Sequence, residues 1–275
     1  MIIAVDTGGT KTLIASFDKD GKMIDSIKYP TPTDKNEYIA TLSEKINQKY
    51  ELRNIDAIVV AIPGFIVDGV VKWCGNLPWT DFDIKTSLNE IFTNIPILIE
   101  NDAKLAALGS AKHLDKPTFS ALYITISTGI GCGLVINGKL DEGMKYSEIG
   151  HIPLEYNGQI SEWEKIASGS AIVRDYKKLA SEIDSKETWK EIADKFTRGF
   201  LVIIPTIQPD VIMIGGSIGT HFNKYRTFLI ENITKYLPKH IKIHEIIQAK
   251  NPEEAVVYGE FYYAKDFISN RTDTV

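Results

Sequence analysis

Apolar residues cluster in short runs, and each run stops at a polar, glycine-bearing turn. Residues 2–6, 12–17 and 22–28 form three such runs, separated by Thr7-Gly8-Gly9-Thr10 and Asp18-Lys19-Asp20-Gly21. That pattern predicts buried strands in a meander. Spacing at Tyr38, Ile39, Leu42, Ile46 and Tyr50 predicts a helix over 35–50. A strand is expected over 55–62, ending at Pro63-Gly64. A hairpin around Asp68-Gly69 and a short helix near 84–93 follow. The run from Ile95 stops at Glu100-Asn101-Asp102 and gives way to an Ala/Leu-rich stretch, so a strand hands over to a helix there.

The order then repeats. Residues 119–127 predict a strand, Thr128-Gly129-Ile130-Gly131 a glycine turn, 132–136 a strand, and Asn137-Gly138 a hairpin. This echoes residues 2–28 in pattern, though not in identity. Helical spacing dominates 161–183 and 187–207, and a strand over 210–214 ends at Gly215-Gly216. Helices are expected over 221–237 and 252–268, with a polar tail from Ser269 that frays. Lys116-Pro117 is the candidate domain joint.

Several groups of residues carry candidate chemistry. Glycine lets backbone N–H groups converge on an anion, so Asp6-Thr7-Gly8-Gly9-Thr10-Lys11-Thr12 and Ser127-Thr128-Gly129-Ile130-Gly131 read as phosphate turns or as plain hairpin turns. Asp6 suits Mg²⁺, directly or through water. Neither turn is a Walker A sequence. Gly215-Gly216-Ser217 follows a strand and could approach a nucleotide or simply open a helix. Asn101 or Asp102 reads as a helix cap, and Asp102 equally as a base at a ligand-binding strand end. Glu148 and His151, three positions apart, suit a ligand rich in hydroxyls or form a surface pair; Glu164 reads as a solvated charge. Asn76 opens a candidate binding loop, and Trp79 beside it is core or pocket lining. The remaining histidines sit among charges and read as surface residues.

A net charge of −5 and 44% apolar content leave nucleic-acid binding without electrostatic support and supply ample core for one or two domains. Two distant cysteines make no zinc or redox motif and fit a reducing, cytoplasmic setting. The first residues lack a signal-peptide pattern, and no apolar run is long enough to span a bilayer.

Taken together these segments resemble the ROK family of sugar kinases. The match rests on Asp6 to Thr12, Glu100-Asn101-Asp102-Ala103, Thr125 to Gly133 and Glu148-Ile149-Gly150-His151, in that order. Pro63-Gly64, Asn76-Leu77-Pro78-Trp79, Ala167-Ser168-Gly169 and Ile214 to Ser217 support it. The resemblance implies an α/β, actin-like ATPase (ribonuclease H-like) fold of two domains about a central cleft. The smaller domain would be 1–116, joined by the C-terminal helix of about 252–268, and the larger 117–251. It implies transfer of the γ-phosphoryl of ATP, with Mg²⁺, to a hexose hydroxyl, the 6-OH of a sugar such as glucose. Asp102 would be the general base. Gly64, Asn76, Asn101, Asp102, Glu148, His151 and Glu164 would contact sugar. Asp6, Gly8, Gly9, Thr10, Lys11, Thr12, Ser127, Thr128, Gly129 and Gly131 would clamp phosphates and metal, and Gly215, Gly216 and Ser217 would border the adenosine.

One departure stands out. Family members commonly carry three zinc-binding cysteines between the Glu-x-Gly-His and Ala-Ser-Gly runs. Here Glu155 to Glu164 has none, so no structural zinc is expected, and packing through Tyr156 and Trp163 should hold the loop. The competing readings are a kinase for N-acylhexosamine, fructose or mannose, a polyphosphate-using glucokinase, and a non-catalytic sugar-binding or regulatory protein. Regulators of the family carry an added N-terminal DNA-binding domain, for which a first strand at Ile2 leaves no room. Family likeness leans toward a homodimer.

Overall fold

The computed structural model describes residues 1–250 and 254–272. The predicted meander is present as β1 (Ile2–Thr7), β2 (Lys11–Phe17) and β3 (Met23–Pro30), followed by α1 (Lys35–Lys49) and β4 (Ala57–Ile62). The small sheet β5 (Gly64–Val67), β6 (Val70–Cys74) and β7 (Thr80–Asp83) comes next. Its first turn places Asp68 and Gly69 at φ 52° and 85°, as the Asp-Gly pair predicts. Then come α2 (Ile84–Ile91), β8 (Ile97–Asn101) and α3 (Asp102–Lys112).

The second series is β9 (Ser120–Ile126), β10 (Ile130–Ile136), β11 (Lys139–Leu140), β12 (Pro153–Tyr156) and β13 (Gln159–Glu162). It continues with α4 (Trp163–Ala167), α5 (Gly169–Tyr176), α6 (Lys186–Ile207), β14 (Val211–Gly215), α7 (Gly216–Gly219), α8 (Phe222–Tyr236) and β15 (Glu245–Gln248). The last helix is α9 (Ala255–Thr272).

The chain divides into two compact units: Met1–Lys112 with the stretch beginning at Glu254, and the stretch beginning at His113. Each holds a five-stranded mixed sheet of the same design. The orders are β3-β2-β1-β4-β8 and β11-β10-β9-β14-β15, each an antiparallel meander continued by parallel strands. The weak repeat in the sequence is therefore a repeat of topology. In the first unit one face of the sheet packs on Tyr38, Leu42, Trp79 and Leu88, and the other on Leu105, Val257, Phe261 and Ala264. In the second, Trp163, Trp189, Phe196, Phe200 and Tyr225 lie in one buried cluster with the strands.

Several expectations need correction. The helical spacing read over 161–183 starts too early: a hairpin, β12–β13, occupies 153–162 and turns at Asn157-Gly158, with φ 54° and 78°. The expected helix over 221–237 begins one residue later, after the separate short turn α7. β15 was not expected at all. Residues 269–272, read as a frayed tail, continue α9. The expected start of the last helix at 252 lies outside the described residues.

Candidate functional site

In the first unit the chemistry collects at one edge of the sheet. β1, β4 and β8 run parallel, and their C-terminal ends carry Asp6, Pro63-Gly64 and Asn101-Asp102. Asn101 takes the cap: its Oδ1 accepts from Lys104 N at 3.2 Å, and its Nδ2 donates to Gly64 O at 3.1 Å. The cap thus leaves Asp102 free for another use, apart from one bond from Ala103 N at 2.8 Å. Burial pushes the Asp102 carboxyl above its ordinary range. Asp6 is pushed up to about 7, by burial first and then by the Asp102 charge, against a smaller pull from Lys28. Two carboxyls that disfavour each other's ionisation suit a hard divalent cation, which favours oxygen donors.

The turn after Asp6 is tightly built. Gly8 N donates to Lys11 O at 2.9 Å, and a Cβ on Gly9 would lie 2.9 Å from Asn76 Cβ, so this turn touches the Asn76 loop. Thr12 corrects an expectation. Its side chain is fully buried, 2.9 Å from the Thr31 hydroxyl, which in turn donates to Gly8 O, so it braces the turn from within instead of offering a hydroxyl to phosphate. Thr10 and Lys11 are exposed. Trp79 is core: it is fully buried, donates to Thr33 O and meets the Tyr38 ring edge-on.

In the second unit the ends of β9 and β14 lie side by side and deliver Ser127 and Gly216 to one pocket, whereas Gly215 does not line it and packs against Tyr123, whose hydroxyl a Cβ there would meet at 2.0 Å. The pocket measures about 910 Å³. Ser127, Thr128, Gly169, Ser170, Gly216 and Ser217 line its polar part. Gly216 sits at φ 76°, and a Cβ there would lie 2.5 Å from Ile126 O, so only glycine fits. Val173, Leu179 and Ile218 line an apolar part, with His221 beside them. Residues 169–170 at the start of α5 were not read as nucleotide residues, although Ser168 is an N-cap signal and does cap α5. His221, read as surface, borders the pocket and is held below its usual value by burial and Lys224.

Glu164 also departs from its plain reading as a solvated charge. Its Oε2 accepts from Ile130 N at 3.3 Å and would lie 2.7 Å from a Cβ on Gly129, so it buttresses the second glycine turn. His151 Nδ1 lies 3.2 Å from Glu162 Oε2, and bonds from His151 and then Lys165 hold Glu162 below its ordinary value. Ligand atoms of His151, Glu162 and Glu164 fall within 4.8 Å of one another. Three donors, two of them carboxylates already bonded, do not fit a structural zinc, which takes four N or S ligands. Trp163, just after the hairpin, is buried against Phe200 and donates to Lys195 O. Glu148 is exposed.

Comparison with known proteins places these features in a wider group. The model of the ROK family matches residues 2–267. A glucokinase of Halalkalibacterium halodurans is 28% identical over 97% of this chain and 82% of its own. An N-acetylmannosamine kinase of Vibrio cholerae is 29% identical over 79% of this chain and 84% of its own. A ROK family glucokinase from Streptomyces griseus, solved in complex with glucose and AMPPNP, superposes with a TM-score of 0.79 at 20% identity. That superposition covers 96% of this chain and 99% of the other. The likeness fixes the fold as the actin-like ATPase fold.

Proposed function

This chain belongs to the ROK family, and on that premise we propose that it is a sugar kinase moving the γ-phosphoryl of ATP to the 6-OH of a hexose such as glucose. The observation that carries the reading is the division of labour at the β8–α3 junction. Asn101 makes the helix cap and the Gly64 bond, so the half-buried Asp102 beside it is free to take a proton. Its raised carboxyl makes it a better acceptor from a hydroxyl than an ordinary aspartate.

In the first unit, Asp102 orients and deprotonates the hydroxyl, with Asn101, Gly64 and Asn76 beside it. In the second, Glu148, His151 and Glu164 bind other hydroxyls. Gly8 to Lys11 and Ser127 to Gly131 hold phosphate oxygens, with Gly169 and Ser170 added to them as the N-terminus of α5. Mg²⁺ held at Asp6, directly or through water, would neutralise phosphate charge. Gly216, Ser217 and the apolar wall of Val173, Leu179 and Ile218 suit a nucleoside, for which polyphosphate has no use. This supports ATP as donor.

The relative named for N-acetylmannosamine favours one alternative, an N-acylhexosamine as acceptor. A coupled assay separates the readings, with ATP or polyphosphate offered against glucose, fructose, mannose and their N-acyl amines. Turnover with ATP and one hexose is expected. No turnover with any pair would overturn the kinase reading.

A further inference from the structure

Glu260 lies on the inner face of α9, fully buried, in the first unit. Its Oε1 accepts two main-chain N–H groups from neighbouring strands, Val5 of β1 at 2.8 Å and Ala61 of β4 at 3.1 Å. Its Oε2 is buried with no hydrogen-bond partner. Val5 precedes Asp6, and Ala61 faces Asp6 in the β1–β4 register. A carboxyl left half-satisfied in a core is costly, and an apolar side chain would fill the space without that cost. Burial raises its carboxyl well above the ordinary range, Asp6 raises it further against the two backbone bonds, and Tyr38 feels it through space.

We propose that Glu260 is a positioning residue for phosphoryl transfer: its carboxyl pins the ends of β1 and β4 together and so fixes where Asp6 and the turn 6–12 stand. The inference rests on the kinase reading, because Asp6 matters only if that turn serves Mg²⁺ and a nucleotide. Glutamate reaches from α9 to both N–H groups with one oxygen. Leucine has no acceptor, and aspartate is a methylene too short. Glutamine keeps the acceptor.

The test is calorimetric titration of the full chain with Mg²⁺·AMPPNP, each variant first checked for an intact melting transition. Asp6→Asn is expected to weaken binding. Glu260→Leu should weaken it ~10-fold or more, since displacements near 1 Å at a site have large effects, while Glu260→Gln stays within ~3-fold. If Glu260→Leu does not fold, Glu260→Asp makes the same discrimination. Affinity in the folded Leu or Asp variant equal to the parent's overturns the proposal alone, as does a Gln variant as weak as either. A parent that does not bind the nucleotide overturns the kinase reading and this inference with it.

Discussion

Asp102→Asn keeps the size of the side chain and removes its proton acceptor. Turnover should fall ~10²–10⁴-fold while sugar affinity, measured by titration, stays within ~3-fold. Since burial raises the Asp102 carboxyl, kcat/KM should fall on the acid side at a pH above the ordinary carboxylate range. A pH–rate profile that is flat there would contradict the assignment. Asp6 affects stability as well. Its folded carboxyl, near 7, exceeds its ordinary 3.8, so it binds its proton more tightly when folded. That contribution is whole below 3.8 and is lost as pH climbs through about 7. In metal-free protein the melting temperature should therefore decline over that window, and Asp6→Asn should flatten the decline. Single residues were legible where a local start signal marked them, as in the helix cap at Asn101. They were illegible where burial alone decides: Thr12 offers the same hydroxyl whether it faces ligand or core, and nothing near His221 in the chain says that a pocket forms beside it.

Among the elements, the hairpin β12–β13 shows why some structure escaped the sequence. Asn157-Gly158 is the same turn signal as Asn137-Gly138, but the helical spacing read from 161 onward reached into the second strand and overlaid it. Ile160, in the second strand, is 77% exposed, so the hairpin offers little buried alternation to read. The hairpin depends on Trp163, whose ring so fills the space over α6 that a Cβ on Gly199 would lie 2.1 Å from it. Trp163→Ala should cost ~3–5 kcal/mol in a denaturant titration. Because Glu164 and His151 hang from the same segment, sugar affinity should fall with it. Asn101→Ala should cost ~1–2 kcal/mol by loss of the cap, and should also free Gly64. The long buried strands β1, β4 and β9 were readable because unbroken apolar runs have few alternatives. β15, four residues beside charged neighbours, gives too short a pattern to read.

For the whole molecule, the repeated sheet was visible because both halves place a polar turn after the same strand. What holds α9 to the first unit was not visible. A Cβ on Gly259 would lie 1.8 Å from Leu105 O, and one on Gly109 2.1 Å from Ala255 O, so α3 and α9 cross backbone to backbone. A glycine inside a helix lowers its propensity, yet Gly109 and Gly259 let these two helix backbones meet. Gly259→Val should push the helices apart and lower stability by ~2 kcal/mol or more, seen as a melting temperature several degrees lower. An unchanged melting temperature would show that the crossing bears no strain.

That crossing has a consequence for how the protein is made. The face of β1 and β4 that Val257, Phe261 and Ala264 cover stays bare until the final helix leaves the ribosome. Roughly 140 residues of the second unit are translated in between, about 7–28 s at ribosomal speed. During that interval the second unit can complete its own core while the first, though begun earlier, waits with an open apolar surface. Strands made before the second unit are thus sealed only after it, and a nascent chain halted before Ala255 should be a preferred client of chaperones that bind exposed apolar sheet.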